Sequence, residues 1–112
     1  MIEVTVLNYL KSVLTDVTVT TEIRQGMGDT FVLIEKTGGG MNDRLFTAKF
    51  AVQSWAGSIY DAMTLNERVK EAMLNLPSVK EVTKCSLNSD YNYTDTATKH
   101  PRYQAVFDVV HY

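Results

Sequence analysis

Two long stretches of strict alternation, standing either side of a helical stripe that ends in proline, restrict this chain more than any other feature. In residues 45–54, Phe46, Ala48, Phe50 and Val52 alternate with Thr47, Lys49 and Gln53, and in residues 102–112, Tyr103, Ala105, Phe107 and Val109 alternate with Gln104, Val106, Asp108 and Val110. Successive side chains of a strand point to opposite faces, so each stretch reads as a strand with one buried face. Between them Ala62, Leu65, Val69, Ala72, Met73 and Leu76 fall on one side of a helix that opens at Gly57-Ser58. Pro77 lacks an amide hydrogen and disfavours helical geometry at Leu76, so the helix is expected to stop there. Asn66, Glu67, Lys70 and Glu71 occupy the opposite side, the expected water face.

The first half of the chain supplies three more elements. Ile2, Val6, Leu10, Val13 and Leu14 recur at helical spacing, with Glu3, Asn8, Lys11 and Ser12 in other directions. Val17, Val19, Thr21 and Ile23 then share one side of a period-two pattern, the turn-rich Gln25-Gly26-Met27-Gly28-Asp29 follows, and residues 30–36 form a second β-rich run. The expectation is two neighbouring antiparallel strands. Residues 37–44 interrupt the pattern and predict a flexible tip before the strand at 45. After Pro77, residues 79–87 read as another strand. The polar stretch 88–101 then reads as a long loop, although Tyr91 and Tyr93 continue the alternation of Cys85, Leu87 and Ser89 and would allow the strand to run on to Thr94. The order is α-β-β-β-α-β-β, an α+β architecture with a mostly antiparallel sheet of about five strands packed against two helices.

At 112 residues the chain fits one domain spanning 1–112. Apolar residues at 45% and charged residues at 21% are near globular averages and argue against disorder. Eleven Lys and Arg against thirteen Asp and Glu leave a charge of −2, which disfavours sequence-independent binding to nucleic acid. No apolar run approaches the ~20 residues needed to cross a bilayer, and no signal peptide or anchor is expected. The single cysteine, Cys85, permits neither an intrachain disulfide nor a cysteine-cluster zinc site and fits a reducing compartment.

Motifs that would carry chemistry are weak. Gly38-Gly39-Gly40 could cradle a phosphate only if a helix followed, and here a strand follows. Asn42-Asp43-Arg44 lacks the spacing of a calcium loop. His100 and His111 have no second ligand at helical spacing, and pairing either with Cys85 or Ser86 finds no recognised nucleophile signature. No catalytic residue, cofactor or metal is expected. Trp55 with Tyr91, Tyr93 and Tyr103 reads as cross-strand packing or as an interface with another protein, for which Tyr, Trp, Met and Arg are the enriched residue types.

Taken along its length, the chain resembles the tail terminator, or tail completion, proteins of long-tailed bacteriophages and prophages. The residues that carry the likeness are the opening helix, Phe31-Val32-Leu33-Ile34-Glu35-Lys36-Thr37-Gly38-Gly39, Ala51-Val52-Gln53-Ser54-Trp55-Ala56, the helix ending at Leu76, and Pro101-Arg102-Tyr103-Gln104-Ala105-Val106-Phe107. The resemblance implies a subunit without enzymatic activity that assembles into a homohexameric ring at the head-proximal end of the virion tail. Such a ring caps the tail tube protein, stops tube polymerisation and offers a surface to the head connector or stopper protein. DNA would pass through it without specific binding, and assembly would take place in the bacterial host cytoplasm. Interface residues are expected in two loops and beside them: Gly38, Gly39, Gly40, Met41, Asn42, Asp43 and Arg44 in one, Tyr91, Tyr93 and His100 in the other, with Trp55 and Arg102 nearby. Another neck component, a head-tail adaptor or minor tail protein, is the alternative within the same setting. A small cytoplasmic enzyme or ligand-binding domain is the alternative outside it.

Overall fold

The computed structural model describes residues 1–112. Its elements run α1 (Ile2–Val13), β1 (Thr18–Thr20), β2 (Phe31–Asn42), β3 (Leu45–Trp55), α2 (Ile59–Leu74), β4 (Val82–Asn92) and β5 (Arg102–His111). The strands form one sheet in the order β1-β2-β3-β5-β4, antiparallel except at one edge. This is the expected α+β order of elements.

Local chemistry explains the helix limits. Ser58 adopts an extended backbone and its hydroxyl accepts from the Asp61 amide, which caps the start of α2. Asp61 itself adds a negative charge to the first turn, where the helix dipole favours it. The α-helix ends at Leu74, and Leu76–Ser78 close it with one tighter 3-10 turn holding Pro77. In α1, Ile2, Val6 and Leu10 face the core and Leu14 is buried just beyond the end. Val13 points outward at 47% exposure, because it lies on the other side of the last turn. The Tyr9 hydroxyl donates to the Ala72 carbonyl at 2.7 Å and joins the two helices.

Both helices cover the same face of the sheet. Val32 and Ile34 of β2, Ala48, Phe50 and Val52 of β3, Ala105, Phe107 and Val109 of β5, and Val82 and Cys85 of β4 meet Val6, Leu10, Leu65, Val69 and Met73 in a single apolar layer. Phe50 and Phe107 stand opposite each other at its centre, both at 0% exposure. The alternation in β3 and β5 therefore assigns the core face correctly.

Five expectations fail. β1 pairs with β2 in parallel, Thr18 with Phe31 and Thr20 with Leu33, so the two are not an antiparallel hairpin. Alternation reports that a segment is extended but carries no direction, and the connection through Gly26 and Gly28, both at positive φ, returns the chain to the starting end of the sheet. Ile23 lies outside β1 at 57% exposure. Gly38 to Asn42 belong to β2 instead of a loop, paired with Lys49 to Leu45, and the reversal is confined to Asp43 and Arg44 at φ 50 and 69. Two consecutive positive-φ residues make the turn that matches the strand twist, so the glycines need not form it. β4 extends to Asn92, and a bulge at Asn88 interrupts its register: Leu87 opposes Phe107, but Ser89 opposes Val106. That extra residue moves Tyr91 to the face opposite Cys85, against the continuous alternation expected from sequence. Asn66, expected in water, is 2% exposed.

Candidate interaction surfaces

The residues expected at an interface fall into two groups at opposite ends of the sheet. Trp55 and Arg102 are paired where β3 ends and β5 begins, whereas Met41 and Phe46 are paired at the β2–β3 turn. Nine residue steps along β3 separate Phe46 from Trp55, or about 30 Å. The molecule is elongated, 43 Å by 26 Å by 24 Å.

One end is a compact aromatic and cationic cluster on the sheet face that the helices leave uncovered. Phe31 and Trp55, directly opposite across β2 and β3, stack at 5.0 Å with an interplanar angle of 20°. The His100 ring stands edge-on to Trp55 at 4.6 Å, and its Nε2 donates to the Asp29 carbonyl at 3.1 Å, so Nε2 carries the proton in this contact. The Arg102 guanidinium lies 4.8 Å from the Trp55 ring centre and 4.7 Å from that of Tyr93, held between two π faces, while its Nε donates to the Tyr93 carbonyl. Tyr91 packs edge-on to Tyr93 at 5.8 Å. A side-chain relay fixes the floor: Trp55 Nε1 donates to Gln53 Oε1, Gln53 Nε2 to Gln104 Oε1, and Gln104 Nε2 to the Tyr91 hydroxyl.

The loop beyond β4 closes over this cluster because Asp95 organises it. Its carboxylate accepts from the Ala97 amide at 2.9 Å and from the Thr98 hydroxyl at 3.1 Å. Those bonds, from Ala97 first, hold the Asp95 carboxyl below the usual range. The Ala56 amide then donates to the Pro101 carbonyl at 3.2 Å and seats the loop end against β3. Trp55 is thereby covered to 8% exposure, while Tyr91 at 41% and Tyr93 at 42% form the accessible rim. The structure thus brings together Trp55, Tyr91, Tyr93, His100 and Arg102, five of the expected residues.

The other end is apolar and uncovered. Met41 is 67% exposed and its cross-strand partner Phe46 44%, both on the helix-bearing face but past the reach of the helices. The Phe46 ring stacks on His111 at 5.6 Å with an interplanar angle of 21°. Tyr112, 70% exposed, follows immediately. Gly38, Gly39, Gly40, Asn42, Asp43 and Arg44 surround this patch and lie far from the Trp55 cluster.

A third cluster escapes sequence reasoning. Lys70 of α2 pairs with both Asp90 of β4 and Glu67, and the Asn66 amide donates to Asp90 at 3.4 Å. The hydrogen bonds from Lys70 to Asp90 and then Glu67 raise its pKa. Asp90 reaches α2 only because the bulge at Asn88 turns it to the helix side, and no sequence pattern marks that bulge.

Cys85 is 9% exposed in the core layer, and burial, with a lesser contribution from the Asp108 charge, pushes its thiol up to about 12. A thiol at that value is protonated at neutral pH and is a poor nucleophile. No group of three or more His, Cys, Asp or Glu side chains is placed to hold a metal ion. No helix is long and apolar enough to cross a membrane.

Neither models of known protein families nor curated proteins give a match to this chain.

Proposed function

We propose that this chain is a structural assembly subunit that closes into a ring and acts as the tail terminator proteins it resembles act: it caps the tail tube, ends tube growth and offers a docking face for the head connector. The observation that carries this reading is the separation of two unlike contact regions, an aromatic–cationic cluster at one end of the sheet and an apolar hairpin patch at the other. A subunit that meets the tube on one face of its ring and the connector on the other needs two unlike surfaces, and these lie at opposite ends of the strands. The protonated Cys85 thiol supports a role without nucleophilic catalysis. A net charge of −2 suits a lumen that lets DNA pass without retaining it.

Deleting the gene from a phage or prophage that carries it tests the role directly. Tails of uncontrolled length that fail to join filled heads are expected by electron microscopy, and the wild-type chain supplied in trans restores both length and joining. Tails of normal length joined to filled heads would overturn the proposal. Tails of normal length that remain unjoined would instead place the chain at the head-tail adaptor.

A further inference from the structure

The run Gly38-Gly39-Gly40 lies within β2 next to a bulge, where the register against β3 shifts between Lys36 and Gly38, and none of the three residues has positive φ. An added Cβ would come 3.2 Å from Lys36 Cε and 3.4 Å from the Thr47 carbonyl oxygen at Gly39, and 3.3 Å from Thr47 Oγ1 at Gly40. At Gly38 an added Cβ would meet nothing closer than the Lys49 Cβ at 3.9 Å, ordinary contact. Glycine in a strand costs conformational entropy and adds no side-chain packing, and it often marks a place where another backbone approaches. These glycines sit on a free edge. β1 pairs only with Phe31, Val32 and Leu33, so β2 from Ile34 to Asn42 has no partner on its outer side. At the other edge β4, Val82–Asn92, is likewise unpaired on its outer side. Open edges of this length present rows of backbone donors and acceptors, and the glycine stretch provides neither the charge nor the bulk that usually shields them.

We propose that the free stretch of β2 in one copy pairs antiparallel with β4 of the next copy, so that the sheet continues from subunit to subunit. This rests on the ring reading above and names its contact. Rotation about an axis parallel to the strands keeps each residue at its height and each strand in its direction. β2 and β4 run oppositely, since three antiparallel steps separate them, and therefore meet antiparallel. Their heights also match. Reading across the sheet, Ile34 is level with Val52, Ala105 and Asp90, Gly40 with Thr47, Val110 and Lys84, and Met41 with Phe46, His111 and Val82. The part of β2 that β1 leaves free thus faces the paired part of β4 with no shift along the axis. Lys36, which lies 3.9 Å from Glu3 in its own copy, would come beside Leu87 and two rows from Asp90, which Lys70 already pairs.

Gly40 and Lys84 supply the test, because they lie on opposite edges of one subunit, three strand spacings or about 14 Å apart, yet stand opposite each other across the proposed contact. Charges that far apart on one exposed surface are largely screened at physiological salt. In sedimentation of the full chain over a concentration series, Gly40→Lys should raise the midpoint of self-association up to about five-fold, the effect of like charges placed opposite each other. The double variant Gly40→Lys with Lys84→Glu should return the midpoint to within about two-fold of wild type. Circular dichroism establishes that each variant folds. Hydrogen exchange on the unmodified chain gives a second readout that needs no variant: association should slow exchange at 34–41 and 82–90 together. Association with protection elsewhere, or with no recovery in the double variant, would overturn the strand contact and leave the ring reading standing. A wild-type chain that stays monomeric to about 1 mM would also overturn the contact, whereas the ring reading is decided by tail length.

Discussion

Replacing Arg102 with alanine removes the group that ties the uncovered sheet face together, and the loss can be worked from its contacts. Its guanidinium is 4.8 Å from the Trp55 ring centre and 4.7 Å from that of Tyr93. Each cation–π contact at a half-exposed site contributes ~0.5–1 kcal/mol. The charge-assisted bond from Nε to the Tyr93 carbonyl adds ~1.5 kcal/mol. Together these give a destabilisation of about 2.5–3.5 kcal/mol, which in a chain of this size lowers the melting temperature by roughly 10–15 °C. Trp55 is the only tryptophan, so its fluorescence during urea and thermal unfolding reports the cluster itself. Arg102→Lys keeps the charge but loses the planar stack and the Nε donor, and should fall between alanine and wild type. A double-mutant cycle with Tyr93→Leu isolates the Arg102–Tyr93 coupling at ~0.5–1 kcal/mol. A loss below about 0.5 kcal/mol for Arg102→Ala, or a lysine variant equal to wild type, would refute the account of the cluster.

Further outcomes follow from other parts of the molecule. Asp16, through its hydrogen bonds with Arg68, and Asp95, through its bonds with Ala97 and Thr98, have folded pKa values below their ordinary 3.8. The unfolded chain then binds more protons as pH falls below about 5, so the melting temperature should hold between pH 7 and 5 and decline toward pH 3. Replacing both residues with asparagine should shallow that decline; an unchanged slope would remove them as its cause. Lys70 has the opposite sign: its folded pKa is raised above the ordinary 10.5, so its contribution is present below that value and fades as pH rises through the folded one. Cys85 should resist a thiol reagent at pH 8 in the folded protein, by at least about a hundred-fold relative to the chain in denaturant, and a reaction at the free-thiol rate would contradict its burial. Gly38→Ala should raise the stability of the monomeric chain by about 0.5 kcal/mol, measured by urea unfolding, since the added methyl meets only ordinary contact; a loss would show that the backbone there needs glycine.

Residues alone determine the parts of this protein that local periodicity controls. The stripe from Ala62 to Leu76 and the alternation through Phe50 and Phe107 fix α2, β3, β5 and the face that each presents to the core, because burying one face allows only one register. The order of elements follows from the same patterns. Tertiary pairing decided what period cannot encode. The direction of β1 depends on the path of the loop after it, and the extension of β2 through three glycines depends on β3 holding them in a ladder despite their poor strand propensity. The bulge at Asn88 turns Asp90 toward Lys70 and Tyr91 toward Gln104, a change of sides caused by one unpaired residue. Trp55, Tyr93, His100 and Arg102 were each conspicuous in the sequence, but only the closing of the loop organised by Asp95 makes them one cluster. The free edges belong to the same class of fact: a strand's own residues show that it will pair, and only the completed sheet shows which side of it is left open.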